Sequence, residues 1–242
     1  MSDVLACTAS GILRITLNRP DTGNKVSDEM VVELTRLIAD AGEQTDLIVL
    51  RGAGGDFCLG RGSKATSKAG EALERRASSE IVFNLYRTIR NAKVPVVCGI
   101  QGQAVGFGCA IAAISDIAVA AEDARFSTPE MEHGILPTVV LSTLIDRVPR
   151  KAINYLIYSS AVIDAQRALV FGLICDIVAA SRLDDTLDAL CETILNAPAV
   201  AIRGVKEYMR SAADLPIEGA VDYARNLHAV INSSRQMRKT EG

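Results

Sequence analysis

An unbroken apolar run at residues 95–100 ends in a turn that places Gly102, Gly106 and Gly108 within seven residues, after which the chain is apolar again to Ala113. Glycine costs roughly 0.5–1 kcal/mol relative to alanine inside regular structure. Three so close together therefore mark backbone that must turn sharply or let another group approach closely. A short continuous apolar run bounded by such a turn is the pattern of a strand buried on both faces. The same pattern occurs earlier: residues 47–50 read as a buried strand and lead through Gly52, Gly54 and Gly55 to Asp56, Phe57, Cys58, Leu59, Gly60, Arg61 and Gly62. Two buried strands ending in glycine turns predict parallel neighbours that present both turns at one end of a sheet.

The rest of the first half alternates in period. Residues 4–9 and 12–17 flank Ser10 and Gly11 as a hairpin would. Ser27 is placed to cap a helix whose apolar stripe is Met30, Val31, Leu34, Leu37, Ile38 and Ala41. Residues 63–74 are polar and read as mobile, ahead of a helix at about 74–91 with Ile81, Leu85 and Ile89 on one face. A helix is expected from about Gly108 to Ser115, then strands at 116–120 and 124–127. Beyond Pro137 the text is helical except for residues 174–178. The domain organisation expected is a core over residues 1–190 and a C-terminal helical region over 191–242.

Composition removes some function classes. A formal charge of −3, with five Phe, five Tyr and no Trp, supplies neither a basic surface nor base-stacking platforms, so no nucleic-acid partner is expected. No apolar run reaches the length of a membrane span, and the first residues lack the blocks of a secretion signal. Cys7, Cys58, Cys98, Cys109, Cys175 and Cys191 form no CxxC pair. They read as reduced thiols of a cytoplasmic protein, with neither a metal site nor a disulfide framework.

Two nucleotide fingerprints fail at the glycine turn. A phosphate loop needs GxxxxGK followed by Ser or Thr; Gly108 comes one place late, and Cys109 follows it instead of lysine. A dinucleotide loop needs GxGxxG, whereas the order here is GxxxGxG. What remains is a strand, a tight turn and a helix N-terminus, whose free N–H groups attract an anion or a developing oxyanion. Close helix–strand packing alone also accounts for Gly106 and Gly108. The second turn, at Gly60–Gly62, tips the balance, because each turn can lend one N–H to the same oxygen. Phe126, Ser127, Thr128, Pro129 and Glu130 then supply a short strand ending in a carboxylate, which completes a site for proton transfer beside a polarised carbonyl.

With these landmarks the chain resembles the crotonase superfamily, the enoyl-CoA hydratase/isomerase family, from about Gly11 to Ala212. The likeness is carried by Leu17–Pro20 with Asn24, Phe57–Arg61, Pro95–Gly102, Gly106–Cys109, Ser115 with Asp116, and Phe126–Glu130 with Gly134–Pro137. Residues 164–173 and 176–178 add the family's later helix–strand signature. The resemblance implies an α/β spiral of ββα units with a C-terminal helical region, assembled as homotrimers or homohexamers. It implies an acyl-CoA lyase or isomerase of fatty acid metabolism that needs no cofactor, the coenzyme A thioester being the substrate. By motif position the oxyanion donors would be the backbone N–H groups of Arg61 and Phe107, and Glu130 the acid/base. The substrate would lie along Asn24, Lys25, Leu59, Gly60 and Gly106, with Lys25 either meeting a phosphate or simply solvated.

Departures from the family pattern qualify that reading. Hydratases of the family use two glutamates; the second matches Glu130, but the first falls on Ala110. A one-carboxylate site suits double-bond isomerisation better than hydration. Thioester hydrolysis, decarboxylation and a non-catalytic CoA-binding role stay open. His133 offers an auxiliary titratable group near Glu130, although a solvated loop residue is the plainer reading, and a Cys58–His133 nucleophilic pair lacks an orienting third residue. Val139, Val140 and Leu141 replace a glycine-rich continuation and are expected to narrow the acyl pocket, and the sequence stops where relatives continue into a further helix.

Overall fold

The computed structural model describes residues 2–42, 44–62 and 71–237. The expectations for residues 63–70 and for the last five residues lie outside that range. The chain opens with strands β1 (Val4–Ala9) and β2 (Ile12–Leu17), an antiparallel hairpin turned by Ser10 and Gly11 at φ +50° and +78°. Helix α1 (Asp28–Ala39) follows, with the Ser27 hydroxyl accepting from the Met30 N–H at 3.3 Å. Then come β3 (Leu47–Gly52), α2 (Ala72–Arg90), β4 (Val96–Ile100), β5 (Gln103–Val105), α3 (Phe107–Ile114), β6 (Ile117–Ala121) and β7 (Arg125–Ser127). The remainder is α4 (Thr138–Leu144), α5 (Arg150–Ser159), β8 (Ile163–Asp164), α6 (Ala165–Val170), β9 (Asp176–Val178), α7 (Leu183–Leu195), α8 (Ala199–Ala212) and α9 (Ile217–Ser233).

Among the described residues six strands form one sheet in the order β1-β2-β3-β4-β6-β9, parallel from β2 onward. Its central strands alternate between two cores. Ile48, Leu50, Val96, Cys98, Ile100, Ala118 and Ala120 face the larger one, with α1, α2 and α3. Leu47, Val49, Val97, Val119 and Ala121 face a second core closed by Leu183, Leu187 and Cys191 of α7. Burial on both faces is why these strands read as continuous apolar runs. The division expected at residue 190 falls inside α7, a helix that packs on the sheet through Cys191. A smaller sheet, β5-β7-β8, stands apart. Its two-residue β8 was not expected, since so short a strand carries no periodicity and exists only by pairing with Arg125 and Phe126.

The C-terminal helices are tied to this frame by ion pairs. Lys206 of α8 reaches Asp116 at 2.7 and 2.8 Å, and Asp116 also accepts the Val96 N–H at 2.7 Å. Arg203 meets Asp46 at 3.0 Å. No helix among the described residues is long and apolar enough to cross a membrane.

Candidate active site

The two glycine turns do lie side by side. β3 and β4 are parallel neighbours, so their C-terminal ends emerge together. The chain beyond β3 then runs along β5: the Phe57 N–H donates to Gln101 O at 2.8 Å, Cys58 to Gln103 O at 3.1 Å, and Val105 back to Cys58 O at 2.9 Å. This contact explains two of the glycines. A Cβ on Gly102 would stand 2.1 Å from Gly55 O, and one on Gly108 would stand 2.4 Å from Cys58 O. Close packing of the two turns is thus enough to require glycine at both positions.

The paired turns leave donors unspent. Arg61 bridges Val26, but the bonds on either side belong to Gly60 O and the Gly62 N–H at 3.0 and 2.9 Å. Arg61's own N–H is directed away from Val26 and meets no acceptor among the described residues. Gly60, at φ +100°, supplies the turn that points it there. Phe107 is the first residue of α3, after Gly106 at φ +51°, so its N–H has no intrahelical partner. Nearby orphan N–H groups and the positive end of the helix favour negative charge at this spot.

Glu130 opens a short 3-10 turn, Glu130–His133, directly after β7 and Pro129. Because β7 pairs in parallel with β5, its end arrives at the end of the glycine turn. The carboxylate lies against Gly106: a Cβ there would stand 2.6 Å from Glu130 Oε1. The other oxygen, Oε2, is buried without a hydrogen-bond partner. Burial pushes this carboxyl above the ordinary range, against smaller lowering by its own N–H and by His133. Gly106→Ala is therefore expected to displace Glu130 and cut turnover of an acyl-CoA substrate by about 10²-fold. A steady-state assay showing wild-type turnover would contradict that placement.

Other expected site residues take different parts. Asn24 was expected along the substrate. It is fully buried, its Oδ1 accepts the Arg19 N–H at 2.9 Å, and its Nδ2 donates to Ala53 O and Asp56 O at 2.8 and 2.7 Å. With that amide spent on backbone, the side chain clamps the loop to the first glycine turn and has none left for substrate. Lys25 is exposed beside it. Leu59 covers Gly23, where a Cβ would stand 2.2 Å from Leu59 Cδ1, and its N–H donates to Gly23 O at 2.8 Å. Ala110 is fully buried in the larger core. Val140 is buried and Val139 and Leu141 pack against the same core, so α4 adds apolar bulk beside α3.

His133 is exposed, three residues from Glu130. The Cys58–His133 pair fails on geometry, because the Cys58 thiol is buried and donates to Asn24 O at 3.3 Å and Gly60 O at 3.5 Å. Burial also pushes that thiol up to about 12, far from a thiolate at neutral pH. One residue was missed altogether. Tyr86 of α2 packs its ring on Phe107 with centroids 5.9 Å apart and feels the charges of Glu130 and Arg61. The signal was a lone phenol on the apolar face that carries Val82, Leu85 and Ile89.

The model of the enoyl-CoA hydratase/isomerase family matches residues 8–242 of this sequence. The chain belongs to that family. Within it, 1,2-epoxyphenylacetyl-CoA isomerase of Escherichia coli K12 is 28% identical over 246 residues, covering 99% of this chain and 94% of that protein. The same organism's 2,3-dehydroadipyl-CoA hydratase is 25% identical, covering 96% and 91%. The crystal structure of an enoyl-CoA hydratase of Mycobacterium smegmatis superposes with a TM-score of 0.89 at 26% identity, covering 95% of this chain and 91% of that one. The fold is accordingly the crotonase α/β fold with its C-terminal helical region, and the protein is an acyl-CoA enzyme of the enoyl-CoA hydratase/isomerase family.

Proposed function

We propose that this enzyme moves a proton at carbon in a CoA thioester, with Glu130 as the acid/base and the N–H groups of Arg61 and Phe107 holding the enolate oxygen. The observation that carries the reading is the contact of Glu130 Oε1 with Gly106, one residue before the free Phe107 N–H. This contact supports a base within reach of the carbon next to a thioester carbonyl whose oxygen takes the N–H. Burial keeps the carboxyl basic enough to take a proton from an activated carbon and return it.

Isomerisation is favoured over two-glutamate hydration because Ala110 presents a methyl inside an apolar cluster, which neither activates nor holds water. The CoA moiety would run along Leu59–Gly62 with Lys25 at its edge. Exposed Tyr158, Val162 and Val170 favour assembly as a homotrimer or homohexamer, which light scattering would measure. Incubation with 2-enoyl-, 3-enoyl- and 3-hydroxyacyl-CoA of one chain length tests the reaction itself. The expected result is interconversion of the 2- and 3-enoyl forms faster than formation of the hydroxyacyl form. Release of free CoA or of carbon dioxide as the main reaction would replace this reading with hydrolysis or decarboxylation.

A further inference from the structure

The two proposed oxyanion donors are held in different ways. Phe107 is buried at the start of α3 with its ring packed on Tyr86, so a helix end fixes its N–H. Arg61 stands instead between Gly60 and Gly62, with Gly60 at φ +100°. Glycine is the most permissive residue for backbone angles, so the local chain does not by itself fix the aim of the Arg61 N–H. One hold is the backbone pairing of this turn with Val26. The other is the Arg61 side chain. Its guanidinium donates through Nε at 3.1 Å and through Nη2 at 2.6 Å to Asp28 Oδ1. Asp28 is the first residue of α1, which is capped by Ser27 and anchored in the larger core by Met30, Val31, Leu34 and Ile38. The Arg61 side chain is 19% exposed and that of Asp28 57%. A pair so open to solvent adds little to stability. Its leverage lies in geometry, because a misplacement of about 1 Å at a reacting centre can cost about 10²-fold in rate.

We propose that Asp28 is a positioning residue: by clasping the Arg61 guanidinium it fixes the glycine-flanked turn so that the Arg61 and Phe107 N–H groups meet the same thioester oxygen. This rests on the acyl-CoA reading above. Any residue except proline supplies a backbone N–H at position 61. Arginine adds a side chain that reaches α1 and sets two charge-assisted donors on one carboxylate oxygen. Poor aim of an oxyanion donor costs more in the transition state than in the bound substrate, because the negative charge on oxygen develops only there. The clasp therefore acts on kcat and little on KM.

The test is a double-mutant cycle on steady-state kinetics with the best acyl-CoA substrate. It compares wild type, Asp28→Ala, Arg61→Ala and the double variant, with Asp28→Glu as the conservative replacement. Every variant retains the backbone N–H at 61. Each alanine variant is expected to lose about tenfold in kcat with KM little changed, less than the roughly 10²–10³-fold lost when an oxyanion donor is removed outright. The double variant should lose no more than either single one, since all three break the same contact. Asp28→Glu keeps the carboxylate and should retain more of the rate than Asp28→Ala. Asp28→Ala also removes a favourable charge from the start of α1, so melting curves are read beside the rates. Arg61→Ala leaves that helix intact and decides the question even if Asp28→Ala folds poorly. Wild-type kcat in Arg61→Ala, multiplying losses in the double variant, or equal losses in Asp28→Glu and Asp28→Ala would overturn the inference and leave the acyl-CoA reading intact. So would a raised KM at unchanged kcat, which would make the guanidinium a contact of the substrate. Absence of turnover of any thioester by the wild type would instead remove the acyl-CoA reading, and this one with it.

Discussion

Glu130→Gln is expected to lower turnover of the best acyl-CoA substrate by about 10²–10⁴-fold while leaving the protein folded and no less stable at neutral pH. Glutamine keeps the size of the side chain but can neither take nor return a proton. The stability side follows from the direction of the pKa. Burial raises the Glu130 carboxyl above its ordinary value near 4.5, so the folded state binds that proton more tightly than the unfolded chain does. The stabilisation is fully present below the ordinary carboxylate range and is lost as pH rises through the raised value. Above that window the wild type holds a buried charge that glutamine does not. The melting temperature of Glu130→Gln should therefore match or exceed the wild type at pH 7, and the advantage should close on acidification. For the wild type, kcat/KM should fall as pH drops through the same raised value, because the base must be ionised to act. A Glu130→Gln enzyme with wild-type rates would remove Glu130 from the chemistry.

Lys206→Met carries the second large effect, on stability. The Lys206 side chain is 5% exposed and both Asp116 oxygens meet its ammonium. Burial pushes the ammonium pKa down, and the Asp116 charge pushes part of the way back. The pair therefore gains little over an apolar replacement of both partners, yet it is costly to break. Methionine at 206 would leave Asp116 partly buried and unpaired, at a cost of about 3–5 kcal/mol. For a chain of this size that corresponds to a drop of roughly 10 °C in melting temperature. Adding Asp116→Asn keeps an acceptor for the Val96 N–H, removes the stranded charge and should recover much of the loss. Equal instability of the single and double variants in urea would show that lost packing of the lysine stem, not the charge, dominates.

Much of the candidate site stands out in the sequence because its chemistry is local in the chain. The proposed oxyanion donors are backbone groups at glycine turns, and turns announce themselves by composition. Glu130 follows a proline at the end of a short strand, which fixes its place along the chain before any packing is known. The bonds of the Asn24 side chain were hidden for an equally physical reason. A polar residue in a turn at φ +54° reads as exposed and available, but its amide is spent on carbonyls 29 and 32 residues away. Long-range bonds of that kind leave no local mark. Lys206 and Asp116, 90 residues apart, were hidden in the same way.

By itself the sequence determined the buried parallel strands, the hairpin, the Ser27-capped helix and the two glycine turns, since period, caps and turn residues act over a few positions. It also determined that one carboxylate follows them and that alanine stands at 110. Only the tertiary structure decided that the two turns lie against each other, that Glu130 rests on Gly106, and that the Tyr86 ring packs on Phe107. Those outcomes depend on which strands become neighbours and on how far a helix is pressed into the core, and no local pattern encodes either.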